Sequence, residues 1–134
     1  MEIVFSGGKG VEAKYKDFVI STDQPVDDGG GGSAPEPFTL FLASLGTCAG
    51  YYALAFCQAR QISTEGMRLK QRATRNDENK RLERVEIEIE LPAGFPAKYQ
   101  KAIQRAASQC AVKKALFDPP EIVLSAKETQ SSES

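Results

Sequence analysis

The cleanest periodicity in the chain lies at residues 82–91, LERVEIEIEL. There Val85, Ile87, Ile89 and Leu91 alternate with Arg84, Glu86, Glu88 and Glu90. A period of two puts the apolar set on one strand face and the charged set on the other. That pattern predicts an antiparallel sheet with one wet face and one face on a core. Residues 66–75, GMRLKQRATR, predict the partner strand, joined through Asn76-Asp77-Glu78-Asn79. Its Arg68, Lys70, Arg72 and Thr74 would stand opposite the glutamates, and cross-strand pairing accounts for both charge runs as an ordinary solvated face. Nearer the N-terminus, residues 2–5 and 11–21 alternate well enough for strands. Residues 6–10 form the turn, and Asp17 sits at a second reversal, giving a short meander.

Residues 38–60 follow another rule. They are apolar on nearly every side, and before the closing Arg60 only Thr39, Ser44, Thr47 and Gln58 interrupt the run with polar side chains. Pro35 and Pro37 mark a helix start, and Glu36 suits its positive end. A helix apolar all round is one surrounded by protein, and some two dozen residues would run about 35 Å. One small sheet cannot cover it, which hints at dimerisation. Beyond the hairpin, residues 97–107 predict a surface helix with Tyr99, Ile103 and Ala106 or Ala107 inward. A break follows, then a fresh helix over 108–116 with Ser108 as N-cap, stopped by Asp118-Pro119-Pro120. Residues 122–126 predict a last strand, and 127–134 a polar tail that frays. The order β-β-α-β-β-α-α-β describes a single α+β domain over 1–134.

The run at 27–34 carries four consecutive glycines and predicts a flexible loop. A phosphate cradle would need a following Lys and Ser or Thr, and Asp27 and Asp28 would repel the phosphate. Composition narrows the remaining classes. Apolar residues make up 41% and charged residues 26%, enough for an ordinary core. Net charge is −1, with no basic stripe interleaved with aromatics, so no nucleic-acid partner is expected. The longest apolar-rich stretch, 38–57, is broken by Thr39, Ser44, Gly46 and Thr47, so no membrane span is expected either. The first residues lack the features of a signal peptide, which points to a cytoplasmic, reducing setting for the three cysteines. The chain has no histidine. Sites that use imidazole as base or ligand are thereby excluded, and neither metal nor cofactor is expected.

The cysteines differ. Cys48 falls in the middle of the apolar helix beside Gly46 and Thr47, where small residues let another backbone or a substrate approach. Cys57 is nine residues on, about 900° around the helix, and faces the opposite side; it is a small core hydrophobe. Cys110 falls near the start of the last helix, where free amides, the dipole and Lys113 and Lys114 would stabilise a thiolate.

Two segments carry a resemblance. Residues 37–48, PFTLFLASLGTC, resemble the signature of the OsmC/Ohr family: a proline, then an apolar, small-residue-rich helix ending in cysteine. Residues 110–116, CAVKKAL, resemble that family's second motif, and the separation of 62 positions from Cys48 to Cys110 suits it. The resemblance implies antiparallel sheets wrapped around a long buried central helix in an intertwined homodimer. It also implies a thiol peroxidase acting on organic or hydrogen peroxide, with Cys48 peroxidatic, Cys110 resolving and a dithiol as reductant. Peroxidases of this family carry an arginine ahead of the central helix and a glutamate early in it. Here no arginine precedes Arg60, and the glutamate position falls on Phe38 or Thr39, with Glu36 out of register. The chain looks like an OsmC-like branch lacking both, where only Lys14 or Lys16 could supply a charge. That leaves two alternatives open: a non-enzymatic dimeric module binding a small acyl or thiol compound in an apolar pocket near Cys48, or a redox sensor.

Overall fold

The alternating N-terminal residues fold into an antiparallel meander of β1 (Glu2–Gly7), β2 (Gly10–Tyr15) and β3 (Phe18–Thr22), in that spatial order. The computed structural model describes residues 1–130. The reversal at Asp17 is a two-residue turn, with Lys16 at φ 52, the positive φ that such hairpins require. Ile3 pairs with Ala13 and Ala13 with Ile20, while Phe5 pairs with Val11. One face therefore collects Ile3, Phe5, Val11, Ala13, Phe18 and Ile20. The chain leaves most of it bare: Phe5 is 87% exposed, and Ile3, Phe18 and Ile20 are exposed as well.

The glycine-rich loop is tied down, not loose. The buried carboxylate of Asp23 accepts the backbone N–H groups of Gln24 (2.8 Å), Gly31 (3.2 Å) and Ser33 (3.1 Å), and the Ser33 hydroxyl at 2.7 Å. Gly30 lies so close to the Gln24 backbone that any side chain there would collide with it. The loop amides do form an anion nest, and the anion is the chain's own Asp23. A single 3₁₀ turn, Val26–Asp28, lies within the loop.

The loop delivers the chain to α1 (Pro37–Ala59), with Pro37 in its first turn and Glu36 as N-cap. The four interruptions that argued against a span still leave α1 long and apolar enough to cross a membrane by length and composition. Here it packs on β4 (Arg68–Arg75), α2 (Gln100–Ala107) and α3 (Ala111–Phe117). β4 pairs with β5 (Leu82–Glu90) in the register that the charge pattern requires: Arg68 with Glu90, Lys70 with Glu88, Arg72 with Glu86. Arg68 and Lys70 both reach Glu90, at 2.5 and 2.6 Å, and Arg84 reaches Glu86 at 2.7 Å. Exposed ion pairs like these add little stability; they let the wet face pair without like-charge clashes.

The core centres on the C-terminal half of α1, where Ala53, Phe56 and Cys57 meet Ile103 from α2. Tyr99 closes edge-to-face on Phe56, and Arg60 stacks on the same ring at 3.7 Å. Cys57 is fully buried, as its position on the helix predicts. The last predicted strand does not form: 121–130 has no regular structure, and Ile122, Val123 and Leu124 are exposed, Leu124 to 93%. A strand exists only where a neighbour takes its N–H and C=O groups, and no described strand of this chain lies alongside. Of the predicted polar tail, 131–134 lies outside the described residues.

Candidate functional site

Cys48 lies midway along α1, and the turn between α2 and α3 brings Cys110 back across that helix. There each thiol lies close enough to influence the other's ionisation. The cap of α3 differs from the sequence expectation. Ser108 ends α2, and Cys110 itself is the N-cap. Its sulfur accepts the Lys113 amide at 3.4 Å, and its S–H is turned to the Leu45 carbonyl at 3.9 Å. Cys110 is 2% exposed, whereas Cys48 keeps partial access to solvent.

The electrostatics reverse the expectation that Cys110 would be the thiolate. The Val112 amide, then the Cys110 thiol, then the Ala111 amide draw the Cys48 thiol below its ordinary pKa, against a desolvation that raises it. Burial pushes the Cys110 thiol up, and the neighbouring Cys48 adds to this, while the Lys113 and Val112 amides pull the other way. The reason is geometric. A residue in the cap position sits beside the first helical amides, and those amides here favour the neighbour across the gap. Burial likewise pushes the Cys57 thiol up. Neither Lys113 nor Lys114 takes part in the field at Cys48, and neither do Lys14 or Lys16. Lys113 leans toward the Phe117 ring and Lys16 toward Tyr15.

Three features escaped the sequence reading. Gly46 admits the side chain of Gln71 from β4, whose Nε2 donates to the Leu42 carbonyl at 2.8 Å. The small residue serves a close approach, as its type suggests, but the guest is a side chain of this chain. Arg75, well after the helix in sequence, returns to its start, and its guanidinium stacks on Phe38 at 4.1 Å. Phe38 is ten residues before Cys48, about 15 Å along the helix. Finally, an apolar groove of about 940 Å³ opens between β5, α1, α2 and α3, lined by Leu45, Ile87, Ile103, Cys110 and Phe117 among others. It meets Cys110, not Cys48. Among the described residues no cluster of His, Cys, Asp and Glu suits a metal ion. What remains is a partly exposed thiol drawn toward ionisation beside a buried one whose ionisation is opposed.

Comparison with known proteins bears on this arrangement. The family model described as OsmC-like protein matches residues 30–125. No curated protein sequence matches the chain. Among solved structures, the chain is similar to a candidate osmotic stress induced and detoxification response protein of Psychrobacter arcticus 273-4. That match has 25% identity and a TM-score of 0.74 and covers 85% of each chain. An OsmC like protein from Mycoplasma pneumoniae matches at 17% identity and TM-score 0.70, over 88% of this chain and 86% of that one. An organic hydroperoxide resistance protein OsmC from Legionella pneumophila matches at 18% and 0.54, over 87% and 89%.

Proposed function

The chain belongs to the OsmC family, and on that premise we propose that it is a thiol-dependent redox protein that reduces hydroperoxides through Cys48 and Cys110. The observation that carries this reading is the nearness of two sequence-distant thiols of opposite character, Cys48 drawn toward thiolate and Cys110 buried with its pKa raised. In the proposed cycle the Cys48 thiolate attacks the outer oxygen of ROOH and the O–O bond breaks. Cys48 becomes a sulfenic acid, and the alkoxide takes a proton to leave as alcohol. The Cys110 thiol then attacks the sulfenic sulfur, the disulfide forms and water departs. A dithiol restores both thiols by exchange through a mixed disulfide. The likeness to the Legionella pneumophila structure, itself an organic hydroperoxide resistance protein, supports the substrate class. The test is consumption of an organic hydroperoxide with dithiothreitol as reductant. Wild type is expected to turn over, and Cys48→Ser to fall to the uncatalysed rate; equal slow rates in both would sink the enzyme reading.

The proposed working unit is a homodimer. A folded monomer of 14.6 kDa exposes about 6,900 Å² on average, and this chain exposes 10810 Å². Part of this exposed surface is apolar: the bare face of the meander, Tyr51 and Leu54 on α1, and Ile122 to Leu124. A second copy laid against these surfaces supplies the cover that the long apolar helix calls for.

A second reading, a non-enzymatic module that binds a small acyl or thiol compound, is favoured by the groove of about 940 Å³, a volume typical of ligand sites. A compound retained in native mass spectrometry, with no peroxide turnover, would select it.

A further inference from the structure

α3 has seven residues and no buried side chain of its own. A helix this short does not hold itself together in water, so its attachments decide whether it exists. Those attachments run through the thiol pair. Cys110, its cap, is the buried anchor: it accepts the Lys113 amide and turns toward the Leu45 carbonyl of α1. The Val112 and Ala111 amides favour the Cys48 thiolate. Beyond them Leu116 and Phe117 are exposed, and Pro119 and Pro120 forbid another turn.

We propose that α3 is a redox-released gate: closing the Cys48–Cys110 disulfide keeps residue 110 tied to α1 but takes away the cap, so that residues 111–117 unwind and open the buried sulfur to the dithiol that reduces it. The proposal rests on the reading that these two thiols form a disulfide. Bonding to Cys48 removes the Cys110 S–H that faces the Leu45 carbonyl and weakens the sulfur as an acceptor for the Lys113 amide. It also leaves no thiolate for the Val112 and Ala111 amides, since a disulfide sulfur is a poor acceptor. Cap and anion are lost in one step, and with them what holds a helix lacking buried side chains. The consequence suits the second half of the cycle. A reductant thiolate must reach a sulfur along the S–S axis; it attacks one sulfur, the S–S bond breaks, and a mixed disulfide forms. The reductant's second thiol then displaces the protein thiolate and leaves as a cyclic disulfide. In the reduced chain the Cys110 sulfur is closed to such attack. Unwound, α3 exposes it, and the returning thiol caps the helix again.

The experiment uses the full chain, oxidised with diamide so that the disulfide forms without any hydroperoxide. Peptide mapping assigns the bond to Cys48 and Cys110. Hydrogen exchange of the 113–118 amides, which include Lys114 to the Cys110 carbonyl and Asp118 to the Lys114 carbonyl, is then compared with the reduced chain. Exchange in this segment is expected to accelerate about tenfold or more on oxidation, while residues 53–57 of α1 keep their protection. Cys48→Ser and Cys110→Ser, treated identically, are expected to keep their own untreated rates. Equal or slower exchange of 113–118 in the oxidised chain overturns the gate, as does failure of diamide to join these two cysteines. An oxidised chain with an unwound α3 but no peroxide turnover supports the gate and removes only the peroxidase reading.

Discussion

Cys48 and Cys110 carry the same side chain and influence each other, yet one is drawn toward ionisation and the other away from it. The difference lies in which of them the α3 amides favour and which is shut from water. A thiol held low keeps its thiolate above its own pKa and loses it as pH falls through that value, so its reactivity should persist below the range of a free thiol near 8.5. Alkylation of Cys48 by iodoacetamide is therefore expected to show a midpoint below that of free cysteine. Cys110→Ala, which removes the second-largest influence on it, should move the midpoint upward; an unmoved midpoint would refute the assignment. Because the thiols titrate together, the measured midpoint belongs to the pair. Asp23 offers a second test. Led by the Ser33 hydroxyl, its hydrogen bonds lower its carboxyl from 3.8 to about 2. With the folded value below the unfolded one, its stabilisation is complete above about pH 4 and is lost as pH falls toward 2. Asp23→Asn should melt lower at pH 7 and show a flatter melting-temperature profile between pH 4 and 2, as read by circular dichroism.

At the scale of elements, the contact between β4 and α1 rests on a missing side chain. A Cβ on Gly46 would take the place of the far end of Gln71, a flexible group that can swing away at the loss of its bond to the Leu42 carbonyl. Glycine inside a helix costs about 1 kcal/mol relative to alanine, and an exposed hydrogen bond is worth a similar amount. Gly46→Ala should therefore be nearly neutral in the wild type and stabilising by about 1 kcal/mol when Gln71 is already alanine. Urea midpoints of the four chains in a double-mutant cycle check this; equal effects in both backgrounds would mean that Gln71 is not the guest Gly46 admits.

For the whole molecule, the expected outcome is a dimer that depends on the apolar surface left bare. Sedimentation at tens of micromolar should give about twice 14.6 kDa, with a melting temperature that rises with concentration. Truncation after Pro120 removes Ile122, Val123 and Leu124, and Phe5→Glu places a charge on the exposed meander face. Each should shift the population toward monomer, and a wild type that sediments as monomer would remove the proposed assembly.

Much of this was legible along the chain because local patterns decide it. Alternation at 82–91 set the hairpin and its inward face, Pro37 set the start of α1, and nine residues of helix put Cys57 opposite Cys48. The resemblance of 37–48 and 110–116 marked both thiols. What the sequence could not carry depends on groups far apart in it. The last strand is absent because an edge to pair with is not a property of residues 122–126. The glycine loop is ordered because Asp23 reaches Gly31 and Ser33. Cys48, and not Cys110, is the thiol drawn below its ordinary pKa, because α3 folds back to place the Val112 and Ala111 amides within its influence. Periodicity and turn chemistry act over a few residues and so can be read from order alone. A pKa, a cap or a strand partner is set by whatever the folded chain brings within a few ångströms, and only the tertiary structure decides that.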